Sequence, residues 1–172
     1  MNNKKIIIAN WKMNPQTAEE ALRLIKGVAN QRLPKNIEVV IAPPFVYLDL
    51  IKKNCGKEIK LAAQNVGWAE RGAYTGEISG LMLKNLGCSY IIIGHSERRY
   101  KMGETDGMIN LKLKEALKVG LVPILAIKRR LVSPNKASSH NPLTLFILII
   151  CYISDSFEMT NKSFQIHLSF PL

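Results

Sequence analysis

Polar side chains directly follow three apolar runs of the sequence, and their types are suited to polarising a carbonyl group. The three positions are Asn10-Trp11-Lys12, Gln64-Asn65 and His95-Ser96-Glu97. In parallel strand–helix folds, ligands bind at the carboxyl ends of the strands, so three polar ends on one side of a sheet predict a ligand site. Either Lys12 or His95 alone would be weak evidence, because most such residues are solvated or structural.

The setting of His95 favours a catalytic role over a structural one. It follows Ile91-Ile92-Ile93-Gly94, where a buried strand opens into the start of a helix. The positive end of a helix disfavours the imidazolium, so the pKa of this ring is expected to be low. A neutral imidazole can donate a hydrogen bond to a substrate carbonyl.

Strands and helices alternate over residues 5–127. Short apolar runs predict strands buried on both faces, and helical spacing with end signals, such as Thr17 with Glu20 and Gly87, predicts the helices between them. Five strands separated by four helical segments predict an α/β fold with right-handed connections and a parallel sheet. The predicted strands are 5–9, 38–42, 60–63, 89–93 and 121–127, and the predicted helices are 18–29, 45–54, 77–86, a short one after Gly94, and one from Asp106 to near Gly120.

The pattern changes after Ile127. Residues 128–172 contain Ser-, Pro- and Asn-rich stretches and the apolar block 143–150, which lacks amphipathic periodicity. We therefore expect two parts, a strand–helix unit over 1–127 and an atypical tail over 128–172. A frameshift or premature end near codon 126, with out-of-frame translation of the tail, would explain the change.

Composition excludes several protein classes. Apolar residues make up 47% and charged residues 22%, as in soluble globular proteins. No run is long enough for a signal peptide or a membrane span, and the three cysteines form no C-x-x-C pair, so we expect a cytoplasmic chain without a metal site. The net charge of +11 is scattered along helix surfaces, which makes binding to nucleic acid or a membrane surface a distant alternative.

Four segments of the sequence carry a family signature. They are Asn-Trp-Lys-Met-Asn at 10–14, Ala-Gln-Asn at 63–65, Gly-Ala-Tyr-Thr-Gly-Glu-Ile-Ser at 72–79, and Ile-Ile-Gly-His-Ser-Glu-Arg-Arg at 92–99. In order and spacing they resemble the triosephosphate isomerase family. The resemblance covers residues 4–125 and implies a truncated (β/α)8 TIM barrel, about the first half of a typical ~250-residue fold. It implies interconversion of dihydroxyacetone phosphate and glyceraldehyde 3-phosphate, no cofactor, and a homodimer.

The resemblance assigns roles to individual residues. Asn10, Trp11 and Lys12 match substrate-binding positions, with Lys12 at the phosphate end. His95 matches the electrophile, for which this family is the well-known example of a neutral catalytic histidine. Glu97 matches a position next to His95 that organises Lys12, and it is assigned to the catalytic residues together with His95 and Lys12. Contacts with a second subunit are implied for Thr75, Gln64 and Asn65, and a structural ion pair for Arg99 with Glu104.

The family's proton-abstracting glutamate has no counterpart in the sequence. After Glu115 the only acidic residues are Asp155 and Glu158, and neither has the expected neighbours. Because a general base contributes ~10²–10⁴-fold in rate, we expect this chain to be inactive alone. The alternative is a non-catalytic half-barrel that associates with itself or with a complementary fragment.

Overall fold

A computed structural model of the chain describes residues 5–127, which form one sheet of five parallel strands. The strand order is β1-β2-β3-β4-β5, so each strand pairs with its neighbour in sequence and the sheet curls into a half-barrel. This confirms the predicted fold class, a truncated TIM barrel. The strands are β1 (Lys5–Asn10), β2 (Ile37–Ala42), β3 (Ile59–Ala63), β4 (Cys88–Ile93) and β5 (Val122–Leu125).

Helical segments fill all four connections. The side chain of Thr17 accepts the N–H of Glu20 and so begins the first helix at the predicted residue. Gly87, with φ +89°, follows the third helix as predicted. The helices are α1 (Ala18–Ala29), α2 (Leu48–Asn54, preceded by a 3₁₀ turn at Phe45–Tyr47), α3 (Gly80–Asn85), α4 (Ser96–Lys101) and α5 (Asp106–Lys118).

The helices pack on one face of the sheet. Their buried side chains, such as Ile25 and Leu83, join strand residues such as Ile41 and Ile91 in the larger core cluster. The opposite face carries a smaller cluster built from strand residues alone: Ile8, Val40, Ala42, Ala62 and Ile92. Right-handed connections between neighbouring parallel strands put the helices on the same side. Because all strand pairs are parallel, the carboxyl ends of the strands lie at one rim.

Two predicted elements, α3 and β5, differ from the structure by more than one residue at a boundary. Helix α3 begins at Gly80 rather than Glu77, because the side chain of Ser79 accepts the N–H of Met82 and caps the helix there. Strand β5 is shorter than the predicted 121–127, although the N–H of Ala126 still bonds the carbonyl of Ile93. The predictions for the tail, including the apolar block 143–150, lie outside the described residues.

Candidate active site

The carboxyl ends of β1, β3 and β4 meet, as the sequence predicts. The Nζ of Lys12 lies 2.7 Å from Oε1 of Glu97. The Nδ1 of His95 lies 3.6 Å from the other carboxylate oxygen of Glu97. From β3, the Nε2 of Gln64 donates to the carbonyl of Lys12 at 2.8 Å. One rim of the sheet therefore holds a cation, a carboxylate and an imidazole in direct contact.

The backbone of Lys12 is strained and is held by contacts on both sides. Its φ of +55° is the only positive value at a non-glycine residue within 5–127. A residue in this region costs of order 1–3 kcal/mol and persists only where its surroundings fix it. The N–H of Lys12 donates to Oδ1 of Asn10 at 2.9 Å, and its carbonyl accepts from Gln64. Nothing in the sequence pattern indicates this conformation.

Trp11 anchors the same turn from the protein interior. Its side chain is 2% exposed and belongs to the larger core cluster. Burial of so large an aromatic side chain fixes the chain immediately before Lys12. Its role in substrate contact stays a prediction, whereas its packing role is evident.

His95 lies where α4 begins, and its ring is held in one tautomer. The Nδ1 accepts the N–H of Glu97 at 3.3 Å, so the proton of the neutral ring is on Nε2. Burial lowers the pKa of His95; Glu97 acts against this and Lys12 adds to it. The expected neutral ring is therefore supported, with burial as the largest cause rather than the end of a helix that has only six residues.

Glu97 is the partner of Lys12 rather than a proton donor. The hydrogen bond from Lys12 lowers the pKa of the Glu97 carboxyl, and burial only partly opposes it. The carboxylate is therefore ionised at neutral pH and accepts from the ammonium group. Together these groups can bind an anion and donate a hydrogen bond to a carbonyl oxygen.

Comparison with known proteins identifies the family. The sequence model of triosephosphate isomerase matches residues 5–143. The triosephosphate isomerase of Trichodesmium erythraeum (strain IMS101) is 52% identical over 127 residues, which are 72% of this chain and 52% of that relative. The chain belongs to the triosephosphate isomerase family.

Other triosephosphate isomerases match in the same way. The protein of Alkaliphilus metalliredigens (strain QYMF) is 50% identical over 125 residues, 72% of this chain and 50% of the relative. That of Dictyoglomus thermophilum is 43% identical over 148 residues, 82% of this chain and 57% of the relative. The chain thus spans about half the length of these relatives. The division of the chain at residue 127 stays a prediction, since the family match continues to residue 143.

The resemblance to triosephosphate isomerases predicts an ion pair between Arg99 and Glu104, and this prediction is wrong. Glu104 instead accepts from Nε of Arg98 at 2.6 Å and pairs with Lys112. Arg99 pairs with Asp106 at 2.5 Å and donates to the carbonyl of Gly94. Adjacent arginines on α4 point to different neighbours because successive helical residues are about 100° apart, and sequence spacing did not decide which arginine faces Glu104.

The buried pair of Glu104 and Lys112 is a feature that the sequence did not single out. Each side chain is 1% exposed, and the Nζ of Lys112 also donates to Oδ1 of Asn65 at 2.8 Å. Burial acts to raise the pKa of Glu104, but hydrogen bonds from Lys112 and Arg98 outweigh it and the pKa is lowered. Arg98 and Lys112 are separated along the chain, and only the fold shows that both contact Glu104.

The residues predicted to contact a second subunit fall into two groups. Thr75 is exposed in the long loop between β3 and α3. Gln64 and Asn65 instead bond within the chain, to Lys12 and Lys112 respectively. The subunit contact of all three residues stays a prediction.

Residues 5–127 show neither a metal-binding cluster nor a helix suited to spanning a membrane. Within residues 5–127, no three His, Cys, Asp or Glu side chains come together in a way that would hold a metal ion. None of the helices in the same range has the length and apolar character needed to cross a membrane.

Proposed function

We propose that this chain supplies the substrate-polarising half of a triosephosphate isomerase active site. The observation that carries the proposal is the contact of Lys12, Glu97 and His95 at one rim of the sheet. In this proposal the ammonium group of Lys12 binds the phosphate end of a triose phosphate and offsets charge on the enediolate. The Nε2–H of His95 donates to the carbonyl oxygen and moves protons between the two oxygens.

The preorganisation of Lys12 and His95 supports this role. Transition-state charge is stabilised best by groups that need no rearrangement during the reaction. The backbone of Lys12 is fixed by Asn10 and Gln64, and the ring of His95 is fixed by the amide of Glu97. A neutral imidazole suits this site, because its Nε2–H can donate a hydrogen bond to the carbonyl oxygen and the ring keeps its proton while doing so.

The chain alone is not expected to complete the isomerisation. The reaction removes a proton from the carbon beside a carbonyl, and this step needs a base. The sequence offers only Asp155 and Glu158 after Glu115, and neither has the neighbours of the family's glutamate. We propose that the base is supplied by a segment that carries the other half of a barrel and is not among residues 1–172.

A co-expression experiment tests the proposal. The full chain is purified alone and together with the C-terminal half of the Trichodesmium erythraeum relative, and isomerase turnover is measured. We expect no turnover from the chain alone above that of a Lys12→Met/His95→Gln variant, and turnover that depends on His95 in the complex. Clear turnover by residues 1–172 alone would disprove the need for the other half of a barrel. A complex whose turnover is unchanged when His95 is replaced would disprove the assigned site.

Association of the half-barrel without catalysis is the second candidate. It is favoured by β5, whose apolar residues Val122 and Leu125 are exposed, as is Ile127 just beyond it. Exposed apolar residues at a strand edge invite pairing with another strand. The same co-expression distinguishes the two, since this candidate predicts a complex without turnover.

Dimerisation and cytoplasmic location are further parts of the proposal. The exposed loop that contains Thr75 is the surface through which a second copy would bind, as implied by the family resemblance. Size-exclusion chromatography of the chain and of Thr75→Arg tests this, because a charged side chain at the contact should shift the chain to monomer. A location in the cytoplasm follows from the glycolytic role of the family, and cell fractionation tests it.

A further inference from the structure

The buried pair of Glu104 and Lys112 lies behind the site, on the outer face of the sheet. Lys112 belongs to α5, and Glu104 lies in the link between α4 and α5. The pair bonds Asn65 and Arg98. The residues that precede these two in the chain, Gln64 and Glu97, bond Lys12 from two directions.

Two series of contacts, which we call arms, connect the buried pair to Lys12. The first arm runs through the end of β3. Lys112 donates to Oδ1 of Asn65, and the next residue, Gln64, donates to the carbonyls of Lys12 and Ala42. Asn65 therefore reaches the helix layer, where Lys112 lies, while Gln64 reaches two carbonyls at the rim. Because the two residues are adjacent in the chain, holding the side chain of Asn65 restricts the position of Gln64.

The second arm runs through α4. Arg98 donates to Glu104, while its neighbour Glu97 accepts from the ammonium group of Lys12. The backbone N–H of Glu104 also bonds the carbonyl of Arg98, so the link between α4 and α5 is fixed at both its side chain and its backbone. This arm sets the position of α4, whose first residues carry Glu97 next to His95.

We infer that Glu104 and Lys112 are positioning residues that hold Lys12 from both sides, its carbonyl through Asn65 and Gln64 and its side chain through Arg98 and Glu97. The importance of this arrangement for the reaction rests on the proposed function; the arrangement itself does not. It links Gln64, which holds the strained backbone of Lys12, and Glu97, which holds its side chain, to one buried pair.

Stability alone does not account for such a pair. Two buried charges are costly to desolvate, and well-packed apolar residues would often serve stability equally well or better. In addition, Oε2 of Glu104 is buried without a hydrogen-bond partner among residues 5–127. An apolar pair would avoid that cost, but it would not fix the directions of Asn65 and Arg98 as hydrogen bonds do.

The test measures the site directly and needs no catalysis. The titration midpoint of the His95 ring is followed by NMR in the full chain, with His95→Gln to assign the signal. The main variant is Lys112→Met, and the double variant Lys112→Met/Glu104→Gln removes both charges so that no lone charge remains buried. If Lys12 and α4 are released, the ring becomes more exposed and its midpoint shifts upward.

Three further variants separate positioning from general destabilisation. Lys118→Met makes the same chemical change on α5 but breaks only an exposed pair with Glu70. Ala116→Gly weakens α5 at a buried position without touching the network. Both should leave the midpoint unchanged. Asn65→Ala cuts one arm while keeping the buried pair, and it should shift the midpoint in the same direction by a smaller amount.

An unchanged midpoint in a folded double variant, or in Asn65→Ala if the double variant does not fold, overturns the inference. A shift of equal size in Ala116→Gly also overturns it. In the complex with the C-terminal half, kcat/KM should fall by roughly 10- to 100-fold in Asn65→Ala, as expected when a catalytic group is misplaced. A complex without activity in any variant would contradict the proposed function and leave the NMR result standing.

Discussion

The ammonium group of Lys12 lies 2.7 Å from the carboxylate of Glu97, a residue 85 positions later in the chain. This contact joins the end of β1 to the start of α4 and places both beside His95. The carboxylate neutralises the cation in the resting protein, and the ring of His95 lies next to both charges. The pKa of His95 and the pKa of Glu97 each therefore depend on the other two groups.

Replacing Glu97 with Gln should lower the titration midpoint of His95. Glu97 raises the pKa of His95 and Lys12 lowers it, so removal of the carboxylate leaves only the lowering charge. NMR titration of the ring measures the shift. Asp49→Asn is the matched control, since it removes an exposed carboxylate that pairs with Lys53 far from the ring in sequence. An upward shift in Glu97→Gln would contradict the assigned electrostatics.

Stability should fall as the pH drops below the ordinary pKa of histidine. Burial holds the pKa of His95 below 6.5, so the unfolded chain takes up this proton first and the folded state loses stability in that range. Denaturant unfolding at about pH 7.5 and pH 5.5 should show a smaller loss for His95→Gln than for the unaltered chain. Glu97 and Glu104 do not interfere, because their lowered pKa values place their effect below 4.5. An equal loss in both proteins would rule out this contribution.

Lys112→Met should destabilise the fold strongly. The substitution leaves Glu104 as a buried charge with only Arg98 beside it, and breaking a buried pair in this way typically costs about 3–5 kcal/mol. The free energy of unfolding from urea titration measures the effect. Lys118→Met, on the same helix but exposed, should leave the unfolding midpoint almost unchanged. Similar losses in the two variants would show that the pair contributes no more than a surface contact.

Gly94→Ala should destabilise the strand end that leads into His95. The φ of Gly94 is +71°, and an added Cβ would lie 3.0 Å from Nη2 of Arg99 and 3.2 Å from Cδ1 of Ile109. The backbone strain alone is of order 1–2 kcal/mol.

Two glycines provide controls for this substitution. Gly103→Ala has a similar φ of +68° but an open surrounding, so it should show the strain without the crowding. Gly27→Ala, within α1 and with nothing near its Cβ, should stabilise the helix by about 0.5–1 kcal/mol. Thermal or urea unfolding measures the stability of the three variants and ranks them. If Gly94→Ala lowers the free energy of unfolding no more than Gly103→Ala does, Arg99 and Ile109 shift to make room for the added Cβ.

Much of the fold could be predicted because it depends on local patterns. The apolar runs that form β1 and β4 and the cap at Thr17 are set by neighbouring residues. The boundary of α3 was less accurate, since Glu77 and Ile78 have the right spacing for a helix. They instead form loop contacts, with the carbonyl of Ile78 accepting from Gly67. A contact between two loop segments cannot be predicted from the periodicity of either segment.

The sequence by itself determined which groups lie at the rim. Lys12, Gln64, His95 and Glu97 each follow an apolar run, and parallel strands must end on the same side. Only the tertiary structure decided how these groups are held: the positive φ of Lys12, the choice of Arg98 over Arg99 as the partner of Glu104, and the bond from Lys112 to Asn65. The physical reason is that hydrogen-bond and ion partners are chosen by distance and direction between packed elements, which exist only after the helices have docked on the sheet.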